Sequence, residues 1–162
     1  MALLRKKDGT TYHPGRLGRM ETASSADRRI ADPWFRDPAS LALIRKANDL
    51  FAVPADILDD LQQVQSHLQV RKTGIFAGSL AHEEFLPEHE LAVSTILGDG
   101  LPSVDLTLDQ ALDYLRKKNV GPFDDRKGWH LMRHAGAALG WAKILPNRVN
   151  NYYPAAWRIL NL

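Results

Sequence analysis

The chain has 162 residues, a formal net charge of +2 and no cysteine. Its length suits one domain or two small ones with a buried core, and its composition is that of a soluble globular protein. The lack of cysteine excludes disulfides, thiolate metal sites and a cysteine nucleophile within these residues. No apolar run approaches the roughly eighteen residues of a membrane span, so we expect a cytoplasmic protein without a membrane partner.

The charges are unevenly distributed along the chain. Residues 1–29 contain seven Lys or Arg against three Asp or Glu, and every charged side chain after Asp125 is a cation. Residues 1–32 also contain turn signals such as His13-Pro14-Gly15. They are predicted to form a basic, flexible lead-in, and the two basic ends indicate a polyanionic partner.

Residues 33–98 are predicted to form a small module of mixed α and β structure. The patterns give a helix over 41–47, a strand over 50–53, an amphipathic helix from residue 57, strands over 68–71 and 74–78, and a helix over 87–97. The stripe of the amphipathic helix is Ile57, Leu58, Leu61 and Val64.

A turn at residues 99–102 marks the expected seam before a second module, residues 99–162. Thr107 and Gln110 have the spacing of a capping box, which predicts a helix start. Its expected buried stripe is Leu108, Ala111, Leu112 and Leu115.

A β-hairpin is predicted from two apolar-rich runs, residues 129–134 and 137–145. Gly140, inside the second run, indicates a bulge or a close backbone approach. Three of the four tryptophans lie in the acid-free segment after Asp125. Cations and flat rings in one β segment are typical of a nucleic-acid surface, but rings in the core and cations on a solvated rim give the same composition. We assign Trp141 and Trp157 to the core.

The C-terminal motifs resemble a known family. Gly140-Trp141-Ala142-Lys143, followed by Asn151-Tyr152-Tyr153-Pro154 and Arg158, is similar to the C-terminal PUA-like domain of RsmF-type methyltransferases of the NOL/NOP/Sun group, which make 5-methylcytosine in ribosomal RNA. Looser matches extend the resemblance over residues 48–160. Residues 2–6 are similar to the last strand of the family's catalytic domain, although an ordinary basic N-terminus fits them equally.

The resemblance implies an α+β fold in which the small module precedes a PUA-like, partly closed β barrel. The family's reaction uses a cysteine nucleophile and a separate domain that binds S-adenosylmethionine. A chain with neither is not expected to be an enzyme or to hold a cofactor itself. Its expected partners are RNA, in particular ribosomal RNA, and a methyltransferase catalytic domain, and we expect a monomer.

The resemblance also indicates candidate RNA contacts. The cations Lys143, Arg148 and Arg158 are assigned to phosphates. Asn150 and Asn151 are assigned to a base edge or sugar, although Asn151 equally fits a turn, and Tyr153 is assigned to base stacking, although core packing is equally compatible. The family often has lysine where this chain has Asn150 and Ala155, which predicts weaker phosphate binding.

Two alternatives stay open at this point. A protein-interaction module docking on a methyltransferase or ribosomal protein would bury the C-terminal tryptophans and scatter the cations. A hydrolase-like enzyme would need a pocket around His82 and His89. These histidines are seven residues apart rather than the four of a helical metal-ligand pair, so no metal site is expected.

Overall fold

A computed structural model describes residues 20–123 and 126–160 of the chain. These residues form two four-stranded sheets and several short helices. The first sheet contains β1 (Leu41–Lys46), β2 (Asp49–Pro54), β3 (Ile75–Ala81) and β4 (Glu84–Pro87), and the second contains β5 (Ser103–Asp105), β6 (Gly128–His134), β7 (Ala137–Leu145) and β8 (Arg148–Asn151). The α-helices are α1 (Ser25–Ala31), α2 (Leu58–His67), α3 (His89–Ala92) and α4 (Leu108–Leu115).

The flexible lead-in predicted over residues 1–32 is wrong in its last part, because α1 is an ordered helix. Ser24 caps it, and Ser24 and Asp27 form both bonds of a capping box. Ala31 is fully buried, and Asp27 pairs with Arg45 of β1 at 2.6 Å. A local cap and tertiary contacts therefore order a segment whose composition looks loop-like. The predicted strand-like opening at residues 2–6 lies outside the described residues.

The first sheet is an antiparallel meander in the order β1-β2-β3-β4. The helix predicted over 41–47 is wrong, because these residues form β1 and pair along their length with β2. Leu41 and Leu43 are buried and Ala47 has φ +55°, which closes the hairpin. Pairing with a partner strand thus overrides the local helix preference.

Three other predictions for the first module need correction or shortening. The amphipathic helix exists as α2, but none of its residues is buried. Residues 68–71 are not a strand, and the strand in this region is β3. The helix predicted over 87–97 is reduced to α3, which buries Leu91 and Ala92 but leaves Val93 exposed.

The second sheet has β5 parallel to β6 and the other pairs antiparallel. The capping box predicted at Thr107 and Gln110 is confirmed at the start of α4, although Leu108 is 59% exposed and does not belong to the buried stripe. The predicted hairpin is confirmed as β6 and β7. The expected partly closed barrel is not confirmed: strand pairing among the described residues leaves β5 and β8 as sheet edges.

Gly140 makes the close approach that its position in β7 predicted. Its φ is +144°, and the register of the β6–β7 pair shifts beside it, between Met132 and Arg133. A Cβ atom here would lie 2.6 Å from the Tyr114 hydroxyl and 2.9 Å from His89 Nδ1. Glycine therefore lets β7 pack directly against α4 and α3.

Two hydrophobic clusters form the core, and the first crosses the expected seam between the modules. Trp129, Leu131 and Trp141 of the second sheet pack with the first sheet, and Trp141 lies edge-on to Trp34 at 5.4 Å. The Trp141 indole N–H donates to the Glu88 carbonyl at 3.0 Å. The second cluster lies between α4 and the other side of the second sheet.

Among the described residues, no helix combines the length and apolar character needed to cross a membrane.

Candidate nucleic-acid interface

The pairing register divides the candidate residues between the two sides of the second sheet. Directly opposed residues of antiparallel strands share a side. Trp129 is opposite Lys143, which is opposite Asn150, and Arg148 is two residues further along β8. These four side chains therefore lie on one side, which also carries Leu131 and Trp141 of the first hydrophobic cluster. The part of this side that is open to solvent, at β8, is called the outer face below.

The other side of the sheet faces α4 and carries Asn151. Its amide nitrogen donates to the carbonyl oxygens of Tyr114 at 2.8 Å and Lys118 at 3.4 Å. Its amide oxygen accepts from the backbone N–H of Tyr153 at 2.9 Å. Both ends of the Asn151 amide thus hold β8 and the following turn against the end of α4, which is the turn role that the sequence left open.

Tyr153 is packed into the same structural junction. Its ring lies edge-on to Tyr114 at 5.6 Å and to His89 at 5.3 Å, and it packs against the second core cluster. The neighbouring Tyr152 is 46% exposed and tilts against Trp129 at 4.5 Å. Of the two adjacent tyrosines, Tyr152 is therefore the one with ring surface open to solvent.

Lys143 is held at the junction with the first module. Its ammonium lies 2.6 Å from Glu84 Oε1 and 5.3 Å from the centre of the Trp129 ring. The indole N–H of Trp129 donates to the same Glu84 oxygen at 3.1 Å. The Lys143 hydrogen bond, aided by that of Trp129, lowers the pKa of Glu84 against the opposing effect of burial. Lys143 is thus a fixed and partly neutralised cation.

A basic cleft lies between the end of α4 and the edge strand β8. It has a volume of about 610 Å³ and is lined by Lys117, Lys118, Asn119, Arg148, Val149, Asn150, Asn151 and Tyr152. No carboxylate is among these lining residues. Lys117 also donates to the carbonyl oxygens of Asn151 and Tyr153 at 3.1 and 2.5 Å. The cleft, hereafter the α4–β8 cleft, brings Arg148, Asn150 and Asn151 together.

Arg148 and Arg158 are the least constrained of the candidate cations. Both are exposed, and neither has a carboxylate within ion-pair distance in the described part of the chain. Arg158 follows a 3-10 turn, Ala155–Trp157, and does not line the α4–β8 cleft.

The two tryptophans assigned to the core differ in burial. Trp141 is 1% exposed, as predicted, but Trp157 is 59% exposed, and its core assignment is wrong. Trp157 contacts His89 edge-on at 5.1 Å. Its position on a short surface turn after Pro154 gives it one packed side only.

Sequence reasoning missed four residues of this region: Lys117, Lys118, Tyr152 and Glu84. The run Arg116-Lys117-Lys118 was visible, but its charges also suit the C-terminal end of a helix dipole. Tyr152 and Tyr153 are indistinguishable by composition, and only their contacts in the folded chain separate them. Glu84 is distant in sequence, so no local signal places it beside Lys143. Elsewhere in the described residues, no group of three His, Asp or Glu side chains is placed to hold a metal ion.

Comparison with known proteins gives two findings. Residues 101–159, which include all six candidate site residues, match the family model described as "Methyltransferase RsmF PUA domain". The chain is also 24% identical over 117 residues to "Ribosomal RNA small subunit methyltransferase F" of Vibrio vulnificus, in strains YJ016 and CMCP6. The alignment covers 72% of this chain and 24% of each relative, so the matched part is about a quarter of the relatives' length. Residues 101–159 are therefore an RsmF-type PUA region.

Proposed function

We propose that this chain is the RNA-binding C-terminal part of a ribosomal RNA (cytosine-C5) methyltransferase. In this proposal it positions RNA for a catalytic domain that these residues do not contain. The observation that carries the proposal is the coincidence of the RsmF-type PUA region with a cleft lined by cations and no carboxylate. A polyanion entering this cleft gains Coulomb attraction and releases counterions.

The roles of the individual residues follow from their contacts. Arg148 and Arg158 have free guanidinium groups and are assigned to phosphates. Asn150 faces outward and its amide is unoccupied by the described residues, so it is assigned to a sugar or base edge. Tyr152, rather than Tyr153, offers the ring for stacking. Lys143 and Asn151 contribute mainly by fixing the surface, because their polar atoms already have partners.

The remaining expectations extend the proposal beyond these residues. The second sheet would be part of the PUA-like, partly closed barrel that the family resemblance implies. S-adenosylmethionine would bind to the catalytic domain, and none of the residues described above is assigned to it. The chain would act as a monomer in the cytoplasm on ribosomal RNA.

The salt dependence of RNA binding tests the assignment of Arg148 and Arg158. Each phosphate contact with single-stranded RNA contributes about 0.7 to the slope of log K against log salt concentration. Arg148→Ala and Arg158→Ala should each reduce the slope by about this amount, and the double variant by about twice as much. Fluorescence anisotropy with a labelled single-stranded RNA at several salt concentrations measures the slopes.

Arg71→Ala is the matched control. Arg71 is an exposed arginine of the first module, and its loss changes the net charge equally, so its slope should stay at the wild-type value. If Arg148→Ala has the same slope as Arg71→Ala, the α4–β8 cleft is not the binding surface. An absence of RNA binding by the folded chain contradicts the proposed function as a whole.

One observation favours the alternative, a protein-interaction module. Ile57 and Val64, two of the four residues of the apolar stripe that the sequence indicated, are each 44% exposed, and Leu68 just after α2 is 63% exposed, so part of this apolar surface has no cover within the described residues. Such a stripe suits a contact with another protein surface. Val64→Lys should weaken association with a separately expressed methyltransferase catalytic domain in a pull-down and leave RNA affinity unchanged, which separates the two functions.

A further inference from the structure

Glu84 places a carboxylate at the edge of a surface that is otherwise basic. It comes from β4 of the first module and is 46% exposed at its side chain, beside Lys143 and Trp129 of the second sheet. A carboxylate at this place repels phosphate and weakens binding by the backbone alone. Its effect on a nucleic acid must therefore come through a group that donates hydrogen bonds.

The two oxygens of Glu84 have different environments. Oε1 accepts from both Lys143 Nζ at 2.6 Å and Trp129 Nε1 at 3.1 Å. Oε2 has no hydrogen-bond partner among the described residues. Two donors on one oxygen fix the orientation of the whole carboxylate, so Oε2 is a positioned acceptor without a donor. Because its pKa is lowered by these contacts, the group is ionised at neutral pH and accepts only.

An exposed aromatic ring is linked to this carboxylate through Trp129. Tyr152 tilts against Trp129 at a centroid distance of 4.5 Å, and the indole edge of Trp129 contacts Glu84. The same ring thus links a half-exposed tyrosine to a fixed carboxylate, while Arg148 lies on the same outer face. A stacking ring, a base-edge acceptor and a phosphate cation on the same side of a sheet are the three parts of a nucleotide subsite.

We infer that Glu84, Tyr152 and Trp129 form a subsite for an unpaired nucleobase that carries an exocyclic amino group, with Glu84 Oε2 accepting from that amino group. This inference rests on the proposed RNA-binding function and adds a base preference to it. A carboxylate accepts well from the amino group of cytosine. Uracil presents only an N3–H between two carbonyl oxygens, which repel the carboxylate.

Glu84→Gln inverts the chemistry of the subsite and preserves its shape. The glutamine carbonyl oxygen replaces Oε1, because Lys143 and Trp129 both donate to it, and the NH₂ group then replaces Oε2. The free atom changes from an acceptor to a donor. Cytosine loses its partner, and the O4 oxygen of uracil gains one.

The test compares oligo(rC) and oligo(rU) of about twelve nucleotides, a length that fills a single-strand site. The wild-type chain should prefer oligo(rC) by about tenfold in Kd, and Glu84→Gln should abolish or reverse this preference. Glu83→Gln, at the adjacent exposed hairpin position, removes the same charge and should keep it. Circular dichroism of all three proteins establishes that each is folded.

The outcomes separate this inference from the function on which it rests. If both oligonucleotides bind with a steep salt dependence but the ratio of their Kd values is the same in wild type and Glu84→Gln, the base subsite is wrong and RNA binding stands. If Glu83→Gln changes the ratio as much as Glu84→Gln does, the effect is one of net charge and the subsite is again wrong. If neither oligonucleotide binds, the inference and the proposed function both fail.

Discussion

The two sides of the second sheet are formed by the same strands, but one side packs against helices and the other is partly open to solvent. Towards α4, Asn151 and Tyr153 have their polar atoms or ring edges engaged by α4 and α3. On the outer face, Asn150, Arg148 and Tyr152 keep polar atoms or ring surface open to solvent. Each of the two packed residues, Asn151 and Tyr153, therefore directly follows a more exposed residue of the same type, Asn150 and Tyr152.

The comparison shows how strand alternation separates two roles within one motif. Because successive side chains of a strand point to opposite sides, β8 supplies Asn150 to the surface and Asn151 to the fold. The ring contacts of Tyr152 and Tyr153, beyond the end of β8, continue this division. Substitutions at adjacent positions test this division directly. The largest effects are expected on the side that packs against the helices.

The largest effect is expected from Gly140→Ala. The new methyl group would meet the Tyr114 hydroxyl and His89 Nδ1 below 3.0 Å, at a φ of +144° that L residues rarely adopt. Strain and overpacking together should lower the free energy of unfolding by about 3 kcal/mol. Urea denaturation followed by tryptophan fluorescence measures this change.

Gly136→Ala is the control for Gly140→Ala. Gly136 also has a positive φ, +82°, but no atom lies within 4 Å of the position of an added Cβ. Only the backbone penalty of about 1 kcal/mol should remain. Equal losses in the two variants would show that β7 does not pack as closely on α4 and α3 as described.

The pair Asn151→Ala and Asn150→Ala tests the alternation directly. Asn151→Ala removes three hydrogen bonds and leaves the Tyr114 carbonyl without this donor, so the free energy of unfolding should fall by about 2 kcal/mol. Asn150→Ala should change it by less than about 0.5 kcal/mol but should weaken RNA binding. If Asn150→Ala instead lowers the free energy of unfolding and Asn151→Ala does not, Asn150 is the structural residue and Asn151 the exposed one.

Tyr152→Ala should reduce RNA affinity by about tenfold, since stacking of a base on an aromatic ring contributes about 1–3 kcal/mol. Tyr152→Phe keeps the ring and should bind like the wild type. Anisotropy titrations at one salt concentration give the comparison. If Tyr152→Phe and Tyr152→Ala weaken binding equally, the hydroxyl group rather than the ring makes the contact.

The smallest effect is expected from the titration of His89. Burial lowers its pKa below the ordinary value of 6.5, against the opposing charges of Glu88 and Glu90. The unfolded chain then binds a proton more readily than the folded one. The stability due to neutral His89 is fully present above about pH 6.5 and is lost as the pH falls from there through the folded pKa.

Melting temperatures between pH 5 and pH 8 show this dependence. His89→Asn should flatten the curve between these limits, whatever its effect on the melting temperature at pH 8. His82→Asn is the control, because His82 lies exposed at the hairpin tip with φ +49°, which asparagine tolerates. If the melting temperature of His89→Asn depends on pH as that of the wild type does, protonation of His89 does not cause the loss of stability at low pH.

Local signals predicted some elements well. The capping box at Thr107 and the two runs around residues 135–136 specify α4 and the β6–β7 hairpin, because cap and turn chemistry act within a few residues. The close approach at Gly140 was also predictable, because a glycine inside a strand commonly marks a bulge or a neighbouring backbone. These elements lie in the part of the chain where the family motifs occur.

Long-range contacts account for the failures. Residues 41–47 have a local pattern that suits a helix, and pairing with β2 makes residues 41–46 a strand instead. The stripe of α2 has helical spacing, but spacing alone does not supply a surface to cover it. In the candidate site, the Lys143–Glu84 ion pair joins residues 59 positions apart, so a sequence shows the cation but not the anion that engages it.

The first hydrophobic cluster has a practical consequence for work with shorter fragments. Trp129, Leu131 and Trp141 belong to the second sheet but lie among side chains of the first. A protein cut at residues 99–102 would turn these three side chains towards water, where large apolar patches promote aggregation. The matched stretch, residues 101–159, is accordingly a poor unit for expression, because it lacks the first-sheet members of this cluster.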